Sequence, residues 1–299
     1  MLGTGFLVGN LNYLPSEVAD SLNAYVVKLA VPVLLFMAMY QLEFKSAFNF
    51  QMLVSFYTGA VAAFVAGIIL SRLIWKRRPG EAVAAGFCAV FSNTVLIGLP
   101  VSQLAFGEAI LTPIFGIIAF HASFLYTLGM FTMEFSRRDG RGLWDTVKAA
   151  SQSVLANPLM AGILMGMLVN LTGIKLFPQL EQALDMIRLT AIPAALVGIG
   201  IALNRYKISS EIPESLMVLA LALAVHPAIA FVLAHHVFAL DGMLVQAAVV
   251  LAAMPPGMNV YIFAAMYHRA ESLSASVLII GNILAVFTIP LWLVLIKSL

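Results

Sequence analysis

Charge is what this chain has least of. Only 10% of its 299 residues are Asp, Glu, Lys or Arg, and 62% are hydrophobic; soluble domains average about 25% charged and about 45–50% apolar. No soluble core of this size needs so much apolar sequence, so the chain is an integral membrane protein whose surroundings are a lipid bilayer. A formal net charge of +2, with no basic run beyond Lys76-Arg77-Arg78, excludes nucleic acid as a partner, which takes a clustered basic patch. One cysteine, Cys88, excludes an intrachain disulfide and a thiolate metal cluster; its ordinary role is that of a small buried packing residue. The sequence has no Gly-x-x-x-x-Gly-Lys loop for nucleotide phosphates, and neither His-Glu-x-x-His nor Gly-x-Ser-x-Gly for hydrolysis. We expect no cofactor and no metal. The first charge is Glu17, so the positive leading region of a cleavable signal peptide is missing.

What is there is a succession of apolar runs. Residues 1–16 are uncharged but hold three Gly, two Asn and Pro15. They are short for a span, which takes about 20 residues, so we expect a truncated first helix. Spans follow at 21–42 with Lys28 and Pro32, 52–70, 82–107, and 109–133 with His121 near its centre. After the polar segment 134–148 come 149–174, 189–204, 215–240, 242–267 and 272–296. These hold, in turn, Asn157-Pro158 with the close-packing pair Gly162-xxx-Gly166, Pro193, His226-Pro227, Met254-Pro-Pro-Gly, and Pro290. The pattern reads as an all-α membrane protein of nine clear spans and one partial one.

A repeat is visible at a nearly fixed offset. Lys28-Leu-Ala-Val-Pro-Val-Leu-Leu35 resembles Leu189-Thr-Ala-Ile-Pro-Ala-Ala-Leu196, with Pro32 and Pro193 161 residues apart. Ser92 and Pro255, which open two interrupted spans, are 163 apart. This predicts two five-helix repeats, residues 1–139 and 140–299. An odd number of spans forces the second copy to insert upside down, giving inverted topology. Of the sixteen Lys and Arg, eleven fall in connections on one side of the membrane, four on the other, and Lys28 within a span. Positive loops stay cytoplasmic, so the segment 134–148 is expected inside, and Leu299 outside the cytoplasmic membrane.

The two interruptions carry the candidate site. Ser92, Asn93 and Thr94 are good N-cap residue types, Gly98 is flexible, and Pro100 lacks an N–H. In the other span Pro255 and Pro256 free the carbonyls of Leu251 and Ala252, ahead of Gly257 and Asn259. The repeat offset places the first break at Ser92–Thr94, with Pro100 inside the new half-helix. Each new half-helix starts with N–H groups that lack helical partners: Thr94, Val95 and Leu96 in one, Gly257, Met258 and Asn259 in the other. Two such positive ends would hold a carboxylate without Arg or Lys, and the amides of Asn93 and Asn259 add donors and acceptors. Against this stands the plainer reading, in which Asn93 caps a helix and the proline pair kinks one. His121 and His226 are candidate proton carriers; the plainer alternative is a hydrogen-bonded packing histidine.

At these stretches the chain resembles the auxin efflux carrier (PIN-like) family. The family's Asn-Thr-x-x-x-Gly-x-Pro is matched by Asn93-Thr94-Val-Leu-Ile-Gly98-Leu-Pro100, and its Leu-Pro-x-Gly by Met254-Pro255-Pro256-Gly257, followed by Phe263-Ala264 and Tyr267. Pro32, Asn157-Pro158 and Pro290 agree as well, while Ser92 stands where plant members carry proline. The resemblance implies an inverted 5+5 repeat with crossing, broken fourth and ninth helices. It implies secondary transport of small organic anions, often by homodimers. From the two breaks we expect the substrate at Asn93, Thr94, Gly98, Pro100, Pro255, Pro256, Gly257 and Asn259. The short central loop suits a bacterial member.

Three function classes compete. A secondary carrier driven by a gradient fits best. An anion channel or a transporter-like receptor would share the architecture. An intramembrane enzyme has only His236-x-x-x-x-Asp241 to recommend it, and we expect no catalysis.

Overall fold

The computed structural model describes residues 1–15, 17–41, 48–136, 158–202 and 208–297, with 144, 148, 152, 156 and 204 singly between. Arg137, Arg138, Asp139, Gly140, Arg141, Asn157 and Leu299 lie outside the described residues. Among the described residues every regular element is helical. In order these are α1 (Leu2–Asn10), α2 (Glu17–Tyr25), α3 (Val31–Tyr40), α4 (Phe50–Leu73), α5 (Pro79–Cys88), α6 (Leu99–Phe106) and α7 (Leu111–Ser136). Then come α8 (Pro158–Thr172), α9 (Pro178–Ala202), α10 (Ile208–Ala220), α11 (His226–Phe231), α12 (Gly242–Ala252), α13 (Asn259–Tyr267) and α14 (Glu271–Ile296). Five stretches are long and apolar enough to cross a membrane: Glu17–Tyr40, Phe50–Leu73, Glu108–Ser136, Glu211–Val237 and Glu271–Ile296. Helices α8 and α12 are apolar but shorter. The first helix, α1, has nine residues.

Several of the helical stretches are continuous but not uniformly α-helical. Wider π turns occupy Val26–Ala30, Thr94–Gly98, Leu221–Val225 and Val232–Val237. Three of them run directly into a helix whose second residue is proline: Pro32, Pro100 and Pro227. Proline cannot donate to the carbonyl four residues back, and its ring collides with it. Widening the preceding turn by one residue relieves the clash without stopping the helix. At Pro227 the freed carbonyl is that of Leu223, and the Trp292 indole N–H donates to it at 2.8 Å. The turn at Val232–Val237 has no such proline.

The chain forms two compact units. One comprises Met1–Leu42, Tyr126–Lys207 and Tyr261–His268; the other comprises Glu43–Leu125, Ile208–Val260 and Arg269–Leu299. Each draws on both halves of the sequence, so compactness and sequence repetition divide the chain differently.

In the first unit α3 packs on α8 and α1 on α9. Gly162 and Gly166 make the former contact possible, because a Cβ on either would run into the backbone of Pro32 or Phe36. That is the small-residue packing expected of Gly162-xxx-Gly166. The Asn170 side chain donates to the Met39 and Tyr40 carbonyls at 3.0 and 2.7 Å, closing the C-terminal end of α3.

In the second unit α4 starts on Asn49, whose side chain accepts from the Met52 amide at 2.9 Å. Helix α4 packs on α5 at Gly67 and Gly86: a Cβ on Gly67 would stand 2.9 Å from the Gly86 Cα. Helix α12 is buried on every face from Ala247 to Ala252, which explains a stretch without polar residues. The connection after α4 is tied to α10 by Arg77, which reaches Glu211 at 2.5 Å and Glu214 at 2.8 Å. Burial disfavours the charged guanidinium, but Glu214 and then Glu211 outweigh it and hold Arg77 charged beyond its ordinary range.

Candidate anion site at two paired helix breaks

Both interruptions, Ala89–Asn93 and Ala253–Met258, lie in the second unit, and they are bonded to each other. Helix α5 ends at Cys88 and helical structure resumes at Thr94; α12 ends at Ala252 and α13 begins at Asn259. The intervening segments form one isolated antiparallel bridge, Ser92 to Pro256. Its two hydrogen bonds run from the Asn93 amide to the Pro255 carbonyl at 2.8 Å, and from the Gly257 amide to the Phe91 carbonyl at 2.9 Å. Ser92 and Pro256 are thus the non-bonded pair of the ladder, the position where a missing N–H does no harm. The proline pair therefore breaks its helix while leaving the bridge intact.

The bridge changes the inventory of donors. Gly257 and Thr94 were both expected to present unpaired amides; Gly257 gives its N–H to Phe91, and Thr94 gives its N–H to the Ser92 carbonyl at 2.9 Å. The first bond of the resumed helix is Gly98 to Asn93 at 3.0 Å, so Val95, Leu96 and Ile97 precede any helical acceptor. In the other span the first bond is Val260 to Gly257 at 3.2 Å, with Met258 ahead of it.

The remaining site residues fall into place around this bridge. Asn93 and Asn259 are half-buried and Thr94 is buried. Both asparagines already interact within the chain. Gly257 lies against Asn93: a Cβ there would meet the Asn93 Cα and Cβ at 3.4 Å, an ordinary contact. Gly98 serves packing, since a Cβ would come within 2.7 Å of Leu251 Cδ2 on α12. Pro100 is in the first turn of α6. Pro256 is backed by Gly281 of α14, where a Cβ would come within 3.2 Å of the proline ring.

Two histidines adjoin these elements. The Nε2 of His121, on α7, lies 3.1 Å from the Ser92 carbonyl; that of His226, on α11, lies 3.1 Å from the Phe56 carbonyl. The Phe56 ring meets both imidazoles edge to face, at 5.7 and 4.9 Å between centroids. Phe56 escaped the sequence reading, because an aromatic in an apolar run carries no mark of its partners. Gly59 admits His226, since a Cβ there would lie 2.9 Å from the imidazole.

A multi-pass chain with two unwound segments bonded together inside apolar spans has the construction of a membrane transporter. The chain belongs to the membrane transport protein family, that of the auxin efflux (PIN-like) carriers, whose model matches residues 1–293. It is 21% identical over 294 residues to a Rhizobium meliloti (strain 1021) protein named "Putative malonate transporter", covering 98% of this chain and 92% of that one. It is 24% identical over 295 residues to an "Uncharacterized transporter" of Methanothermobacter thermautotrophicus, covering 96% and 92% respectively.

Proposed function

We propose that this protein is a secondary carrier of small carboxylates, malonate-like diacids among them, and that it holds the carboxylate at the paired breaks. The observation that carries the reading is the bridge itself. It brings Asn93, Asn259 and two resumed helix starts to one place, in spans without a single Arg or Lys. There the partial positive ends of the helices and the remaining first-turn amides are the means of holding an anion. The name of the Rhizobium relative supports the substrate class. In this reading the two halves insert as inverted repeats, the broken helices cross, and alternating access exposes the bridge to each side in turn. The carrier lies in the cytoplasmic membrane, as a homodimer, with its C-terminus outside.

The test is counterflow in proteoliposomes. Vesicles preloaded with unlabelled malonate should accumulate labelled malonate saturably, and neutral malonamide should not compete. Ohmic malonate currents without saturation would replace the carrier with a channel. Absence of any malonate flux or binding would remove the diacid.

A further inference from the structure

Ser92 and Asn93 share one peptide unit, and that unit is held at both ends. Its N–H donates to the Pro255 carbonyl at 2.8 Å. Its C=O faces His121 Nε2 at 3.1 Å and also accepts from the Thr94 amide at 2.9 Å. Because a peptide is planar and rigid, a group that fixes the carbonyl also fixes the amide opposite and the Cα of Asn93 beyond it. A carbonyl oxygen only accepts, so His121 Nε2 carries the proton. Among the described residues its buried Nδ1 has no partner, and neither has that of His226. A second proton on either ring would be an N–H with nothing to donate to. Among the described residues, the groups shown to meet His121 bring no charge to balance one. They are the faces of Phe56 and Phe91, at 5.7 and 4.8 Å between centroids, and His226 beyond Phe56. The hydroxyl of Tyr57, next along the chain from Phe56, donates to the Ile117 carbonyl at 2.9 Å.

We infer that His121 is a positioning residue: a neutral Nε2–H donor that holds the Ser92–Asn93 peptide in register with Pro255, and not a carrier of transported protons. His226 holds the Phe56 carbonyl in the same way, and the Phe56 ring spaces the two imidazoles. That the peptide so held belongs to the anion site rests on the function proposed above; that His121 holds it does not.

The experiment compares His121→Gln, which keeps an N–H donor, with His121→Phe, which keeps the aromatic shape alone. The readouts are hydrogen exchange of residues 91–98 in the purified full chain and malonate counterflow across pH. We expect His121→Phe to speed exchange of the Asn93 amide about tenfold and to raise KM about as much, with Vmax affected less. We expect His121→Gln to restore both, with the pH profile of the native protein. Native-like exchange in His121→Phe overturns the inference, as does a Gln variant that exchanges as fast as the Phe variant or loses its pH dependence. Should the Phe variant not fold, ¹⁵N signals of the native protein decide: an Nε2–H neutral ring from about pH 6 to pH 8 supports the inference, and an imidazolium signal at position 121 in that range overturns it. If malonate neither crosses nor protects the break from exchange, the anion-site reading fails, while the exchange comparison still decides the role of His121.

Discussion

The Asn93 amide and the Pro255 carbonyl, 2.8 Å apart, join two helices at the points where each has come undone. Neither interruption satisfies its backbone by local bonds alone. In a bilayer there is no water to take up stray N–H and C=O groups, and irregular backbone survives there only when protein covers it or it lines a cavity. The bridge supplies that cover for Phe91, Asn93, Pro255 and Gly257, and His121 supplies it for Ser92.

Trp292 covers a backbone group in the same way. Its indole N–H is the partner of the Leu223 carbonyl that Pro227 leaves free. Trp292→Phe keeps the ring and removes the donor, which should cost about 1–3 kcal/mol, the usual penalty for an orphaned buried group. Thermal unfolding in detergent measures it. A double variant that also replaces Pro227 with Ala restores an amide within reach of Leu223, so part of the loss should return. Equal losses in the single and double variants would show that the indole matters by packing alone.

Two glycines separate backbone approach from side-chain approach. A Cβ on Gly86 would lie 2.7 Å from the Phe64 carbonyl oxygen, a fixed backbone atom, whereas one on Gly98 would lie 2.7 Å from the mobile tip of Leu251. The distance is the same but the neighbour is not. Gly86→Ala should therefore be the more harmful, at about 1–3 kcal/mol for overpacking, and Gly98→Ala the milder, because Leu251 can turn aside. The comparison is made by the melting temperatures of the two variants. A Gly98 variant melting below the Gly86 one would mean that Leu251 is locked.

Much of this arrangement was legible in the sequence, and what was missed has a common cause. Asn93-Thr94 and Pro255-Pro256 mark the breaks because capping residues and prolines act on their own backbone, within reach of a local reading. The repeat offset, which set Ser92–Thr94 opposite Pro255–Gly257, was enough to prefer Ser92–Thr94 over Pro100 as the place of the break. Hidden were the pairings between distant segments: Gly257 with Phe91, His121 with Ser92, Trp292 with Leu223. A donor given away through space looks free in sequence, which is why the amides of Thr94 and Gly257 were expected to be unpaired. Proline offered the signal that could have been followed further, since each frees a known carbonyl and asks what answers it.

Orientation follows from charge. If the chain crosses with the ten spans read from its sequence, eleven of its sixteen Lys and Arg fall on one side, and the connection containing Gly140 should face the cytoplasm and the C-terminus the opposite side. Reporter fusions after Gly140 and after Leu299 read this directly. A C-terminal reporter active only in the cytoplasm would reverse the assignment or change the number of spans.

The sharpest test concerns Asn93 and Asn259. Both are half-buried, and each stands where a helix resumes beside the bridge. If their amides contact a bound carboxylate, Asn93→Ala and Asn259→Ala each remove a hydrogen bond to a charged group, worth about 1.5–3 kcal/mol, or roughly ten- to a hundredfold in affinity. If instead they only cap helices, each replacement costs typically about 1 kcal/mol of stability and leaves affinity per folded molecule unchanged. Both already interact within the chain, so some loss of melting temperature is expected in either case. Affinity is therefore the deciding measurement. Malonate titrations on the folded fraction should show the loss in both single variants. The losses should add if the two amides meet separate oxygens, and fall short of the sum if they share one contact. Native affinity in both variants, with folding intact, would leave the paired breaks as architecture and send the search for the anion elsewhere in the molecule.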